Sequence, residues 1–152
     1  MMWGCMTSYG TGPIQQIIGN MNQYSYMSIL QFHLPETTEN MPYPQNEVMF
    51  QQDRDPMHIE KSVQNWLNNQ NFKLLDWPAQ SPDLNPIENL WAHLKKKLHC
   101  EYHTMPTSTD NLWIRVQEEW NKISPDYCER LIQSMLQRIH LVSKAKGLRT
   151  KY

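Results

Sequence analysis

The sequence predicts an α/β fold with a helical C-terminal end. Three observations predict it: glycine-punctuated strand signals at the start, a strand–helix–strand alternation through the middle, and helical spacing of apolar residues from Pro86 onward. Met2–Ser8 and Gly12–Ile18 read as two strands joined by a tight glycine turn. Asn22 is placed to cap a helix over Tyr24–Asn40, where Tyr26, Ile29, Leu30, His33 and Leu34 share one face. Pro35 is expected to kink that helix or end its first half. Met41–Gln45, with Pro42 and Pro44, forms a loop into a short strand, Glu47–Asp53, that ends in an acid. The breaker Asp55-Pro56 and then His58 follow. Ile59–Asn69 reads as a helix through Val63, Trp66 and Leu67, and Phe72–Trp77 as a short apolar strand.

The next stretch is Ser81-Pro82-Asp83-Leu84-Asn85-Pro86-Ile87-Glu88-Asn89-Leu90-Trp91. Pro86 stands where a first helical residue belongs, with Asn85 as its N-cap. Leu90, Trp91, Leu94 and Leu98 then recur at helical spacing, so the helix docks by that face. Glu88 is a carboxylate fixed in the first turn. Taken alone, this is most simply a capping box between Asn85 and Glu88. Asp83 is expected to hold the proline-rich loop through its own side chain. Two further helices follow. Ser108 or Thr109 opens the first, with Leu112, Trp113, Val116 and Trp120 inward. Ser124-Pro125-Asp126 opens the second, with Cys128, Leu131, Ile132, Met135 and Ile139 inward.

The 152 residues suit one domain, and no run approaches the length of a membrane span. The N-terminus carries no basic region followed by an apolar run, so no secretory signal is read. Cys5, Cys100 and Cys128 are odd in number and far apart, as expected of thiols in a reducing compartment. The net charge of −1 hides an asymmetry: residues 1–88 hold three Lys/Arg against nine Asp/Glu, and residues 89–152 hold eleven against six. The cations gather at Lys95, Lys96 and Lys97 and in a tail from Arg138 through Lys144, Lys146, Arg149 and Lys151. Such clusters suit phosphate contacts, although a solvated helix face has the same composition. His99-Cys100-Glu101-Tyr102-His103 lacks the Glu directly after the first His that a zinc-protease helix needs, and reads as a polar helix end.

Asp53 and Glu88 are the chemical candidates. An acid at a strand's C-terminal end is where α/β proteins place chemistry, and the thirty-four residues between the two hold a helix, a strand and a loop. Paired carboxylates suit a hard, oxygen-seeking divalent cation.

Gln51-Gln52-Asp53 with Pro56 and His58, followed by the Ser81–Trp91 stretch, resembles the catalytic domain of Tc/mariner-superfamily DDE transposases. Trp3-Gly4-Cys5, Gly12-Pro13 and Leu75 with Trp77-Pro78 match as well, so the resemblance covers nearly the whole chain in order. It implies a ribonuclease-H-like (integrase-type) sheet flanked by helices. It also implies DNA cleavage and strand transfer in cut-and-paste transposition, by three carboxylates and two metal ions, Mg2+ or Mn2+. Asp53 and Glu88 match two of those carboxylates, as catalytic and metal-holding residues, and His58 matches an accessory histidine. Transposon-end DNA as partner, a homodimer and a nuclear location follow from the same resemblance.

Two departures accompany it. Arg54 stands where the family pattern has Asn, and is expected to compete with metal at Asp53 or to pair with Asp55. Residues 1–52 contain no Asp, and Glu36, Glu39 and Glu47 do not fall at the first carboxylate's place. The expectation is therefore a partial DDE catalytic domain over residues 1–152, without the first strand and without N-terminal helix-turn-helix domains, and inactive alone. A non-catalytic DNA- or protein-binding remnant is the alternative, and a ribonuclease-H-type nuclease a weaker one.

Overall fold

The computed structural model describes residues 1–78, 81–148 and 150. The chain divides into two compact units: Met1 with Ile17–Ser81, and Met2–Gln16 with Pro82–Tyr152.

The first unit is built on α1 (Gln23–Glu39). Asn22 Oδ1 accepts from the amides of Tyr24 and Ser25 at 3.0 Å each, and Ser25 Oγ accepts from the Asn22 amide at 2.8 Å. This reciprocal box fixes the helix start. Tyr26, Ile29, Leu30, His33 and Leu34 are buried as their spacing predicts. The helix does not end at Pro35 but continues to Glu39. An interior proline costs about 3 kcal/mol, whereas burying one large apolar side chain gains about 1.5–3 kcal/mol, so the buried face outweighs it.

A 3-10 turn (Gln45–Glu47) leads into β3 (Met49–Phe50), which pairs in parallel with β4 (Lys73–Leu74). Between them lies α2 (Lys61–Asn68), whose Val63 and Leu67 are fully buried. Both strands are shorter than expected. The ladder closes with Leu75 N–H donating to Phe50 O at 2.9 Å. Asp53 therefore stands in a loop past the strand rather than at its end. Beyond the ladder the backbone turns on its own acids: the Asp55 amide donates to Asp53 Oδ1 at 3.3 Å and the Met57 amide to Asp55 Oδ1 at 3.1 Å.

The second unit joins a hairpin to four helices. β1 (Met2–Thr7) and β2 (Gly10–Gln16) are antiparallel, with a register irregularity between Gly4 and Met6. Gly10 holds φ +136°, which only glycine adopts readily at this turn. After a 3-10 turn (Pro82–Leu84) come α3 (Pro86–Glu101), α4 (Thr109–Asn121), α5 (Pro125–Gln133) and α6 (Met135–Lys144). Leu90, Leu94, Val116, Trp120, Ile123 and Cys128 form the core, with Trp91, Leu98, Trp113 and Leu131 packed against it. Three residues expected inside are exposed: Leu112, Ile132 and Ile139. Ile139 faces solvent because the second C-terminal helix is broken at Ser134 into α5 and α6, which shifts the face that points inward; Ile132 lies in the last turn of α5, ahead of the break. Leu112 lies in the first turn of α4, ahead of the core positions Val116 and Trp120.

Among the described residues, the strands form two separate two-stranded pairings, and no helix is long and apolar enough to cross a membrane. Cys5, Cys100 and Cys128 are all free thiols.

Candidate active site

Asp53 is held by its surroundings more than by its strand. The 55–58 turn is closed by His58 N–H donating to Asp55 O at 2.9 Å, which swings the His58 ring back over Asp53. His58 Nδ1 lies 2.6 Å from Asp53 Oδ1. The carboxylate accepts, so Nδ1 carries the proton. Tyr26 stacks on the imidazole at 4.1 Å between centroids. Gln52 Nε2 and Gln64 Nε2 both donate to His58 O, at 3.1 and 2.8 Å, and Gln52 Oε1 accepts from the Tyr26 hydroxyl at 2.7 Å. Burial first, then the charges of Asp53 and Asp55, push the Tyr26 phenol far up, so it stays a neutral donor. The Asp53 side chain is 55 % exposed while that of His58 is only 16 % exposed. An ordered, half-exposed carboxylate braced by a buried imidazole is the arrangement used to orient a metal-ligating oxygen.

Arg54 departs from expectation. Its guanidinium reaches Asp76 at 3.8 Å rather than Asp53 or Asp55, and both partners are largely in solvent. Such an exposed pair is weak and leaves the Asp53 carboxylate unblocked.

Glu88 belongs to the other unit. It is exposed, in the first turn of α3 behind Pro86. The expected capping box does not form: Asn85 takes the extended N-cap backbone, but its side chain makes no cap bond. The loop is closed instead by main-chain bonds, Asn85 N–H to Pro82 O and Glu88 N–H to Asn85 O, both at 3.1 Å. Asp83 is buried, and its Oδ2 accepts from the Thr150 amide at 2.9 Å and hydroxyl at 3.0 Å. Asp83 is thus structural, and Thr150 near the C-terminal end is one of its partners.

Arg138 overturns its place in the basic tail. It is 1 % exposed and donates to Asp83 O at 2.8 Å, Asn89 Oδ1 at 2.7 Å and Ser134 Oγ at 2.8 Å. A guanidinium so enclosed contacts no phosphate. Lys95, Lys96, Lys144 and Lys146 are exposed, while Lys97 pairs with Glu101 at 3.2 Å. Arg149 and Lys151 lie outside the described residues. His99, Cys100 and His103 are exposed, in keeping with a polar helix end.

Asp53 and Glu88 supply hard oxygen donors, the type that Mg2+ and Mn2+ take. Among the described residues no group of three or more His, Cys, Asp or Glu is gathered that could hold a metal ion. Each of the two carboxylates fits a divalent ion in kind. Tyr26 beside His58, and Arg138 and Thr150 around the loop, are invisible to motif reading because each acts from a distant element, whereas Gln52 stands inside the Gln51-Gln52-Asp53 motif and Gln64 lies six residues past His58.

Comparisons with known proteins bear on the family and the fold. A family model described as DDE superfamily endonuclease matches residues 21–112. The Tcb1 transposable-element transposase of Caenorhabditis briggsae is 35% identical over 153 residues, covering 100% of this chain and 54% of the relative. The chain spans about half the length of the curated relatives it matches. A structure of the Mos1 transposase catalytic domain with raltegravir and Mg has a TM-score of 0.87 at 19% identity, over 99% of this chain and 76% of that one. The Mos1 mariner paired end complex with Mn gives a TM-score of 0.87 at 20% identity, over 99% of this chain and 44% of that one. The fold is therefore ribonuclease-H-like, and the chain belongs to the DDE superfamily of endonucleases, in its Tc/mariner transposase branch.

Proposed function

We propose that these residues form the DNA-cutting and strand-joining domain of a cut-and-paste transposase, acting on transposon-end DNA with Mg2+ or Mn2+. The observation that carries the reading is the Asp53–His58 pair at 2.6 Å, at the positions the family motif marks. Asp53 and Glu88 would hold the divalent ion. When bound, such an ion activates a water or 3′-hydroxyl and stabilises the leaving oxygen. His58, braced by Tyr26, Gln52 and Gln64, fixes the direction of one Asp53 oxygen and leaves the carboxylate open to solvent on its other side. Glu88 is presented from the first turn of α3. Lys95 and Lys96 meet backbone phosphates without reading sequence. Residues 1–152 act as one partial catalytic domain, a second copy of the chain is the natural partner on paired transposon ends, and the nucleus is the place of action for a chromosomal DNA substrate.

The test is metal binding. Titration of Mn2+ followed by electron paramagnetic resonance should reveal binding that Asp53→Asn and Glu88→Gln each weaken. Binding unaffected by both substitutions would overturn the reading. A second reading, a non-catalytic DNA-binding domain, is favoured by the exposure of Lys95 and Lys96 on α3. It predicts salt-sensitive DNA binding that Glu88→Gln and added Mn2+ leave untouched.

A further inference from the structure

The entry to α3 has no side-chain cap bond, and Pro82 and Pro86 carry no amide proton. Beside the two local main-chain bonds, the approach of this helix is tied from the far end of the chain. Arg138, on α6, is almost wholly enclosed, and its guanidinium bonds to three different pieces of structure. Nε donates to Ser134 Oγ at the α5–α6 junction, Nη1 to Asp83 O in the 3-10 turn, and Nη2 to Asn89 Oδ1 in α3. Asp83 and Asn89 bracket Asn85–Glu88. A planar guanidinium with donors in fixed directions spans such a bracket, and a flexible ammonium does not. Thr150 adds a second tie, since both its amide and its hydroxyl donate to Asp83 Oδ2.

We infer that Arg138 is a positioning residue for Glu88: from α6 it clamps the loop and first turn that present this carboxylate. The inference rests on the reading of Glu88 as a metal-holding group. Arg138 is buried and acts through the residues it bonds to. It acts by denying the first turn of α3 the freedom to fray, which is where helices open most easily.

The experiment uses the full chain with Arg138→Met, Arg138→Lys and, as a milder lesion away from the loop, Ser134→Ala, beside Glu88→Gln. Two quantities are read: amide hydrogen exchange at Leu84, Asn85, Ile87, Glu88 and Asn89, and the Mn2+ dissociation constant. In Arg138→Met, exchange at these amides should rise about tenfold or more, and Mn2+ affinity should fall about tenfold, as when a ligand loses its outer-shell support. Arg138→Lys should recover part of both, and Ser134→Ala should show the same changes in smaller measure, which decides the matter if Arg138→Met fails to fold. Folded variants with exchange like the wild type overturn the inference. So does faster exchange with unchanged Mn2+ affinity, provided Glu88→Gln weakens it. If Glu88→Gln itself leaves Mn2+ binding unchanged, the role of Glu88 fails and the inference falls with it.

Discussion

Trp91 and Trp120 stack with ring centroids 5.0 Å apart and planes 26° from parallel, and the edges of both rings end against Gly4. Trp120 Nε1 also donates to Gly12 O at 2.8 Å, so the same indole is tied to both strands of the hairpin. The Trp-Gly pair near the start of the chain thus has a packing reason. Only a residue without a side chain lets β1 lie on the two indoles, and Trp91 stands one turn beyond Glu88 on α3.

Gly4→Ala should therefore destabilise the protein. A Cβ there would sit 2.9 Å from Trp91 Cη2 and 3.2 Å from Trp120 atoms, so an indole or the strand must shift. Overpacking of this kind costs about 1–3 kcal/mol, to be read as a lower denaturation midpoint with an unchanged slope. A midpoint equal to that of the wild type would mean that the rings yield freely and that Gly4 serves something else.

At the other unit the exposed box that starts α1 is testable alone. Asn22→Ala removes the acceptor of two amides at 3.0 Å and should cost about 1 kcal/mol. Ser25→Ala, which removes only the return bond to the Asn22 amide, should cost less. Equal losses would argue that the box acts as one inseparable unit.

The helical faces are legible in the sequence because each is a local repeat. Tyr26, Ile29, Leu30, His33 and Leu34 are buried as their 3.6-residue period requires. The Ser81–Trp91 stretch is legible because proline and N-cap chemistry fix a helix start within a few residues. Asp53 reads as the end of a strand because the β-prone run Val48-Met49-Phe50 continues into glutamines, and nothing local reveals that Gln52 spends its amide on Tyr26 and His58. Arg138 misleads for the same reason. In sequence it is one cation among a basic tail, and only the fold supplies acceptors 49 and 55 residues away. The break at Ser134 is hidden because apolar residues continue through it at nearly helical spacing.

Two histidines give the stability a pH dependence. Burial holds the pKa of His33 below its usual value, against an opposing pull from Glu36. Burial also lowers that of His93, assisted by Lys97 and Lys96 and opposed by Glu119. Both groups bind protons more readily in the unfolded chain. Their contribution is complete above the ordinary histidine value near 6.5 and is lost as pH falls through the lower folded values. The denaturation midpoint should therefore fall between pH 7 and pH 5, and His33→Gln with His93→Gln should flatten that fall. A midpoint that rises on acidification in this range would refute the assignment.

The basic face of α3 makes an electrostatic prediction. Lys95 and Lys96 are exposed, whereas Lys97 is already paired with Glu101. Removing one lysine–phosphate pairing should reduce the slope of log affinity against log salt by about 0.9, so Lys95→Gln with Lys96→Gln should flatten it by up to about 2. Adding Lys97→Gln should change it less than either of the first two. Binding to duplex DNA that ignores salt, or a slope untouched by these changes, would mean that the lysines are merely solvated.

The last prediction concerns catalysis. Two-metal phosphoryl chemistry needs enough anionic ligands to hold both cations while leaving positions for substrate oxygens. Asp53 and Glu88 provide two carboxylates at matched positions, and residues 1–52 contain no Asp. If the chemistry needs a third carboxylate, residues 1–152 tested alone should leave supercoiled plasmid intact with Mg2+ or Mn2+. A family-type strand carrying an Asp, added ahead of Met1, should raise metal-dependent nicking above background, and Glu88→Gln in that extended protein should remove the gain. Arg54→Asn should add little, because the guanidinium is turned to Asp76 across 3.8 Å of largely solvated space instead of to Asp53. A large gain from Arg54→Asn alone would show that the cation reaches Asp53 in solution. Glu88-dependent nicking by the unextended chain would mean that two carboxylates suffice and that the need for a third is wrong.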